Sequence, residues 1–191
     1  MRARLSCVAA ICALAGCGSE ENTVLAGFAG AIISPVRSSI SAQVTFTDTS
    51  GAQHIQWIVA MADVPDLCTK VTAHADYFHN AIENFTAIIV WVPPGSIGTF
   101  FVGQQGQNGE AIGNEVLVGS GPQNGTPGVT RLAGVFIPGA NISLSQFNVG
   151  PGGEAKGNFD VVISDPAGAP HEYVGKFKAT YCTGAEKAQL P

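Results

Sequence analysis

The segments KGNFDVVIS (156–164), DPAGAP (165–170) and HEYVGKFKATYC (171–182) decide the fold of this 191-residue chain. In the first, Gly157, Phe159, Val161 and Ile163 alternate with Lys156, Asn158, Asp160 and Ser164. In the last, Tyr173, Gly175, Phe177, Ala179 and Tyr181 alternate with Lys176, Lys178 and Thr180. A period of two puts one apolar and one polar face on each strand, and the turn formers between them close a β-hairpin. Strict alternation would set Cys182 among the lysines, so it is expected at the strand end, where the chain leaves the pleat. The same period recurs upstream in Ala42, Val44 and Phe46, and in Ile55, Trp57, Val59 and Met61. Thr86 to Val92 and Val129 to Ile137 are apolar on nearly both sides, as central strands covered twice would be. Residues 103–128, rich in Gly, Gln and Asn with a brief apolar run at Val116 to Val118, read as a long, polar, mobile excursion. Short strands punctuated by Gly and Pro predict an antiparallel β-sandwich.

One segment has the helical period instead. Val71, Ala75, Phe78 and Ile82 make an apolar stripe, and Thr72 is placed to cap a helix over about residues 72–83. Its opposite face carries Asp76, His79 and Glu83, the candidate metal or ion-pair set. A solvated face in which acids flank a histidine explains the same spacing, and no HxxxH or HExxH pattern accompanies it. His74 borders the stripe and reads as a packed histidine.

The N-terminus reads as an address. Met1 to Arg4 is basic, and Leu5 to Leu14 is an apolar run too short to span a bilayer of ~30 Å. Leu14-Ala15-Gly16-Cys17 then resembles the lipobox of bacterial lipoproteins. That resemblance implies removal of residues 1–16, a diacylglyceryl thioether on Cys17 and an acyl chain, such as palmitate, on its amine. Several chains together anchor a protein stably. Residues 17–23 would form a lipidated tether and 24–191 a single domain. Gly18 and Ser19 lack an acidic inner-membrane retention signal, so the outer membrane is favoured. An ordinary secretory signal with a chance cysteine is the competing reading.

Composition agrees with export and excludes one partner class. Charged residues make up 12% of the chain, about half the usual share, and the net charge is −5. Loss of Arg2 and Arg4 with the leader leaves seven basic against 14 acidic residues, a net of −7. Such a balance opposes nucleic-acid binding. Cys7 and Cys12 leave with the leader and Cys17 carries lipid. Cys68 and Cys182 remain, and an even pair in an oxidising compartment predicts one disulfide. Two free thiols or half a metal site are the alternatives.

Catalytic chemistry has little support. There is no G-x-S-x-G elbow, Gly119-Ser120-Gly121 lacks its spacing, and the Gly-rich segments do not open helices. Asp63, Asp66 and Asp76 are isolated acids at spacings that arise by chance. Trp57 and Trp91 are weak candidates for stacking on sugar rings, but both lie in apolar strand runs that favour core packing. Asn84, Asn124 and Asn141 begin glycosylation-type tripeptides that a bacterial lipoprotein would rarely use.

The order Ile32-Ile33-Ser34-Pro35-Val36, then Asp63-Val64-Pro65-Asp66-Leu67-Cys68, then Gly175 to Cys182 (GKFKATYC) resembles a group of uncharacterised bacterial lipoproteins, many from myxobacteria. That resemblance implies a small β domain and an envelope location, with no catalytic residue. The expected function is a lipid-anchored envelope protein with a non-catalytic structural or adhesive role, no cofactor and no nucleic-acid partner; an envelope protein or glycan partner stays open. A surface carbohydrate- or ligand-binding module and a metal- or carboxylate-dependent hydrolase are the alternatives. Loss of a glycan signal in Trp57→Ala or Trp91→Ala would single out the first, and loss of activity in His79→Ala the second.

Overall fold

The structure, a computed structural model, describes residues 22–26, 31, 33, 35–47, 53–93, 95–104 and 111–190. The expected leader, Cys17 and most of the tether therefore lie outside the described residues. Ten strands follow in chain order: β1 (Thr23–Ala26), β2 (Ser38–Thr47), β3 (Gln53–Ala62), β4 (Phe85–Val92), β5 (Gly98–Phe101), β6 (Gly113–Ser120), β7 (Gly128–Val135), β8 (Asn141–Phe147), β9 (Glu154–Ser164) and β10 (Pro170–Tyr181). The α-helix among the described residues, α1, spans Leu67–Ala73 between β3 and β4.

β9 and β10 form the hairpin that the alternation predicts, in register from Thr180 opposite Glu154 to Pro170 opposite Ser164. Phe159, Val161, Ile163, Tyr173, Phe177 and Ala179 point into the core. The two glycines of the apolar face have a specific task. Gly157 lies opposite Phe177 and Gly175 opposite Phe159. A Cβ on Gly157 would sit 2.8 Å from the Phe177 ring, and one on Gly175 would sit 2.4 Å from the Phe159 ring. Each phenylalanine lies over the glycine across from it, which fills the face without a second side chain.

The strands form one mixed sheet in the order β1-β10-β2-β3-β4-β6-β7-β9-β8-β5. Pairing of β10 with β9 folds it back on itself into a sandwich. Its corners are narrow. Thr180 and Tyr181 of β10 run parallel to Ile40 and Ser41 of β2, and Gly134 and Val135 of β7 pair with Ile163 and Val162 of β9. Val59, Met61, Ile88, Val90 and Val116 from one side meet Ile142, Leu144, Phe159 and Phe177 from the other. That interior is the first apolar cluster.

A second cluster covers the back of β2, β3 and β4. Ile40, Ala42, Ile58, Ala60 and Ile89 are capped by Leu67, Val71, Tyr77 and Phe78, and by Ala185, Ala188 and Leu190 of the C-terminal segment. β4 is accordingly buried on both faces, as its uniformly apolar sequence predicts. The Cys68–Cys182 disulfide, with Cα atoms 5.5 Å apart, ties this cover to the sheet. Cys182 lies one residue beyond β10, and its N–H donates to Ser41 O at 2.8 Å.

Three expectations are corrected. The helix is Leu67–Ala73 rather than 72–83, so Thr72 is inside it and does not cap it. Thr72 Oγ1 donates back to Cys68 O and Thr69 O, and the Ncap position belongs to Asp66 in a left-handed conformation (φ 56°). Past His74 the chain makes separate turns, because Tyr77, Phe78 and Phe85 gather into an aromatic cluster with centroids 5.0 to 6.3 Å apart. Tertiary packing thereby overrides a run of Thr, Val, His and Asn with modest helix propensity. Ile82, assigned to the buried stripe, is 47% exposed.

The 103–128 segment is no simple excursion. It contributes β6, whose residues from Asn114 to Leu117 are buried between β4 and β7. Residues 105–110 lie outside the described residues. Finally, β7 is not covered on both sides. Among its side chains Leu132 is buried, and Phe136 just beyond it is 64% exposed. A strand that leaves one half of the sandwich to join the other turns a corner, and a corner has less to pack against.

Candidate functional site

A cleft of about 550 Å³ opens beside the C-terminal segment, lined by Thr45, Gln53, His79, Glu186, Lys187, Gln189 and Leu190. Two backbone links build it. Gln189 N–H donates to Ala75 O at 2.8 Å, and Gln189 forms a parallel bridge to Thr45. The last residues are thus stitched to β2 on one side and to the turns after α1 on the other. Glu186 is oriented by Tyr181, whose hydroxyl donates to Glu186 Oε1 at 3.0 Å. Burial, and then that carboxylate, push the Tyr181 phenol above its ordinary value, so it stays a donor across the physiological range. The wall offers a hydroxyl, two carboxamides and an imidazole, with the apolar Leu190 alongside. With the Glu186 carboxylate and the Lys187 ammonium in the same lining, this mixture of donors and acceptors suits a polar ligand.

The structure parts the proposed metal set. Asp76 and His79 share one turn, in which His79 N–H donates to Asp76 O at 2.8 Å. The Asp76 carboxyl is held below its ordinary value, first by the Asn80 side-chain amide at 2.8 Å and then by its own backbone N–H, with smaller effects of His74 and His79. Glu83 is committed elsewhere. It pairs with Lys70 and accepts the Tyr77 hydroxyl at 3.0 Å. Among the described residues, no group of three His, Cys, Asp or Glu side chains is placed to hold a metal ion.

Neither tryptophan forms an open platform. Trp57 packs against the inner cluster, edge-on to Phe147 at 5.8 Å and near Tyr181 at 6.2 Å. Trp91 packs against the outer cluster, with the Arg131 guanidinium 5.7 Å from its ring centroid. That guanidinium also pairs with Glu115, a diagonal neighbour across β6 and β7.

Glu115 is the functional-looking residue that sequence reasoning missed. It is 1% exposed, and burial raises its carboxyl above the ordinary value against the pull of Arg131 and of a hydrogen bond with Trp91. A glutamate beside a Val-Leu-Val run in a Gly- and Asn-rich stretch looks like a solvent-facing loop residue. The available signal was the oppositely charged Arg131 in the next strand-like run, but it needs the strand register to be read.

Among the described residues, no helix is long and apolar enough to cross a membrane. Compared with protein-family models, curated proteins and solved structures, the chain matches none.

Proposed function

We propose that the chain is a lipid-anchored protein of the bacterial cell envelope whose β-sandwich has a non-catalytic structural or adhesive binding role. The carrying observation is how the cysteines divide. Cys17 closes the lipobox-like Leu14-Ala15-Gly16-Cys17, and the two cysteines left for the domain are joined to each other. A disulfide across 114 residues belongs to an oxidising compartment, which an exported protein occupies. Gly18 and Ser19 favour the outer membrane as the destination. Replacing Cys17 with Ser tests this reading directly. The wild-type protein is expected in the membrane fraction and Cys17→Ser in the soluble fraction; a variant that stays membrane-bound contradicts the anchor.

The cleft favours a second reading, a binding module for a polar ligand such as a saccharide. Here the expected contacts are Gln53, His79 and Gln189, not the two tryptophans. On a glycan array, a signal lost in both His79→Ala and Gln53→Ala supports the cleft. Retention in both variants with loss in Trp57→Ala or Trp91→Ala would move the site away from it. A hydrolase built on Asp76, His79 and Glu83 has less support, since Glu83 is held by Lys70 and Tyr77.

A further inference from the structure

Lys156, Lys176 and Lys178 project from the outward face of the β9–β10 hairpin, where Lys178 lies opposite Lys156 and Lys176 opposite Asn158. With Ser145 they border a shallow depression of about 420 Å³. They are three of only seven basic residues from Cys17 onward, in an acidic chain. Glu154 offsets part of that charge, at 3.0 Å from Lys156 and 3.7 Å from Lys178. Asp160 and Glu172 lie further along the same two strands. On the same face, Leu25 of β1 pairs across to Val174 of β10, and these apolar side chains are 64% and 38% exposed. An exposed apolar pair bordered by lysines matches the composition of a surface that sits at a lipid headgroup boundary.

The position of the chain's entry gives the face its occupant. Thr23 pairs with Lys176, and Asn22 Oδ1 accepts the Lys178 N–H at 2.8 Å. The polypeptide therefore enters the fold beside the lysines. Five residue steps separate Asn22 from Cys17, a reach of at most about 18 Å when extended. A lipid on Cys17 would keep this face within about two Debye lengths of the headgroups at physiological salt.

We infer that the Leu25–Val174 and Lys156–Lys176–Lys178 face docks onto anionic phospholipid headgroups of the bilayer that holds the anchor. The inference rests on the anchor reading and adds an orientation to it: the hairpin lies against the membrane, while the cleft, lined by other elements, remains available to a ligand. The sequence just before Asn22 also carries two acidic residues, Glu20 and Glu21, and the test distinguishes pairing of the lysines within the chain from docking on lipid.

The test uses the full lipidated protein, reconstituted in neutral phosphatidylcholine vesicles or in vesicles that also contain phosphatidylglycerol. A short pulse of an amine-acetylating reagent is read lysine by lysine by mass spectrometry. Lys156, Lys176 and Lys178 are expected to label on the order of tenfold more slowly on the anionic vesicles, with Lys70 and Lys187 unchanged and the protection removed by high salt. Equal labelling on both vesicles, the result if Glu20 and Glu21 cover the lysines, overturns the docking. The N-terminal peptide in the same digest separates the two levels. A lipid on Cys17 with equal labelling overturns docking alone, whereas an unmodified Cys17 overturns the anchor and the docking with it.

Discussion

Replacing Cys68 and Cys182 together by Ala is expected to lower the unfolding free energy by about 4 kcal/mol. Closing a loop of 114 residues removes much of the freedom of the unfolded chain, and the chain-entropy account puts this at ~4–5 kcal/mol for loops of such length. The folded state loses something too. The bond fixes α1 and the C-terminal segment over the back of β2, β3 and β4, where Leu67, Val71, Ala188 and Leu190 are buried. For a domain of this size each kcal/mol moves the melting temperature by ~2–4 °C, so the double variant should melt about 8–16 °C lower. Thermal and urea unfolding of the two proteins checks this. A change below about 1 kcal/mol would mean that the cover holds itself in place without the bond.

Arg131→Met should cost about 2–3 kcal/mol at neutral pH, and acidification should return most of that loss. The pair's worth is trimmed because Arg131 is 41% exposed, but Glu115 is not exposed enough to be solvated without its partner. Burial raises the Glu115 carboxyl in the folded chain above its unfolded value of 4.5. The folded chain therefore binds this proton more tightly than the unfolded chain. Stability from Glu115 rises as pH falls from above the folded value toward 4.5, and the dependence ends where both states are protonated. Removing Arg131 removes the main opposing pull, so the slope of Arg131→Met should be steeper than that of the wild type. Glu115→Gln should abolish this part of the slope. Urea midpoints at pH 7 and pH 5 decide it; an equal loss at both values for Arg131→Met would show that packing on Trp91, rather than charge, is what the guanidinium supplies.

The hairpin was legible because its two faces differ at every position, so period and register can be read from the letters alone. The disulfide was legible by counting, once Cys7 and Cys12 of the expected leader and Cys17 of the lipobox-like segment were set aside. α1 was misplaced because the stripe Val71, Ala75, Phe78 and Ile82 records burial without saying by what. The aromatic packing of Tyr77 and Phe78 on Phe85 needs a partner outside the segment, and no local period encodes that. β6 was hidden for the opposite reason. Asn114 and Glu115 look like loop residues, yet they are buried at the centre of the sheet, with Asn114 Nδ2 donating to Val162 O at 3.3 Å and Glu115 paired with Arg131. Buried polar residues whose partners lie on distant strands break the alternation on which strand reading depends. The cleft was invisible for the same reason. His79 was singled out for its spacing to Asp76 and Glu83, whereas its neighbours across the opening are Gln53 and Glu186 from remote parts of the chain.

Export and lipid attachment are the central proposal, and the intact mass of the protein extracted from bacterial membranes tests both together. The predicted species begins at Cys17, carries a diacylglyceryl group and an acyl chain, and is lighter than the dithiol by the two hydrogens lost in joining Cys68 to Cys182. A species with an unmodified Cys17, or with both domain thiols free, would contradict it.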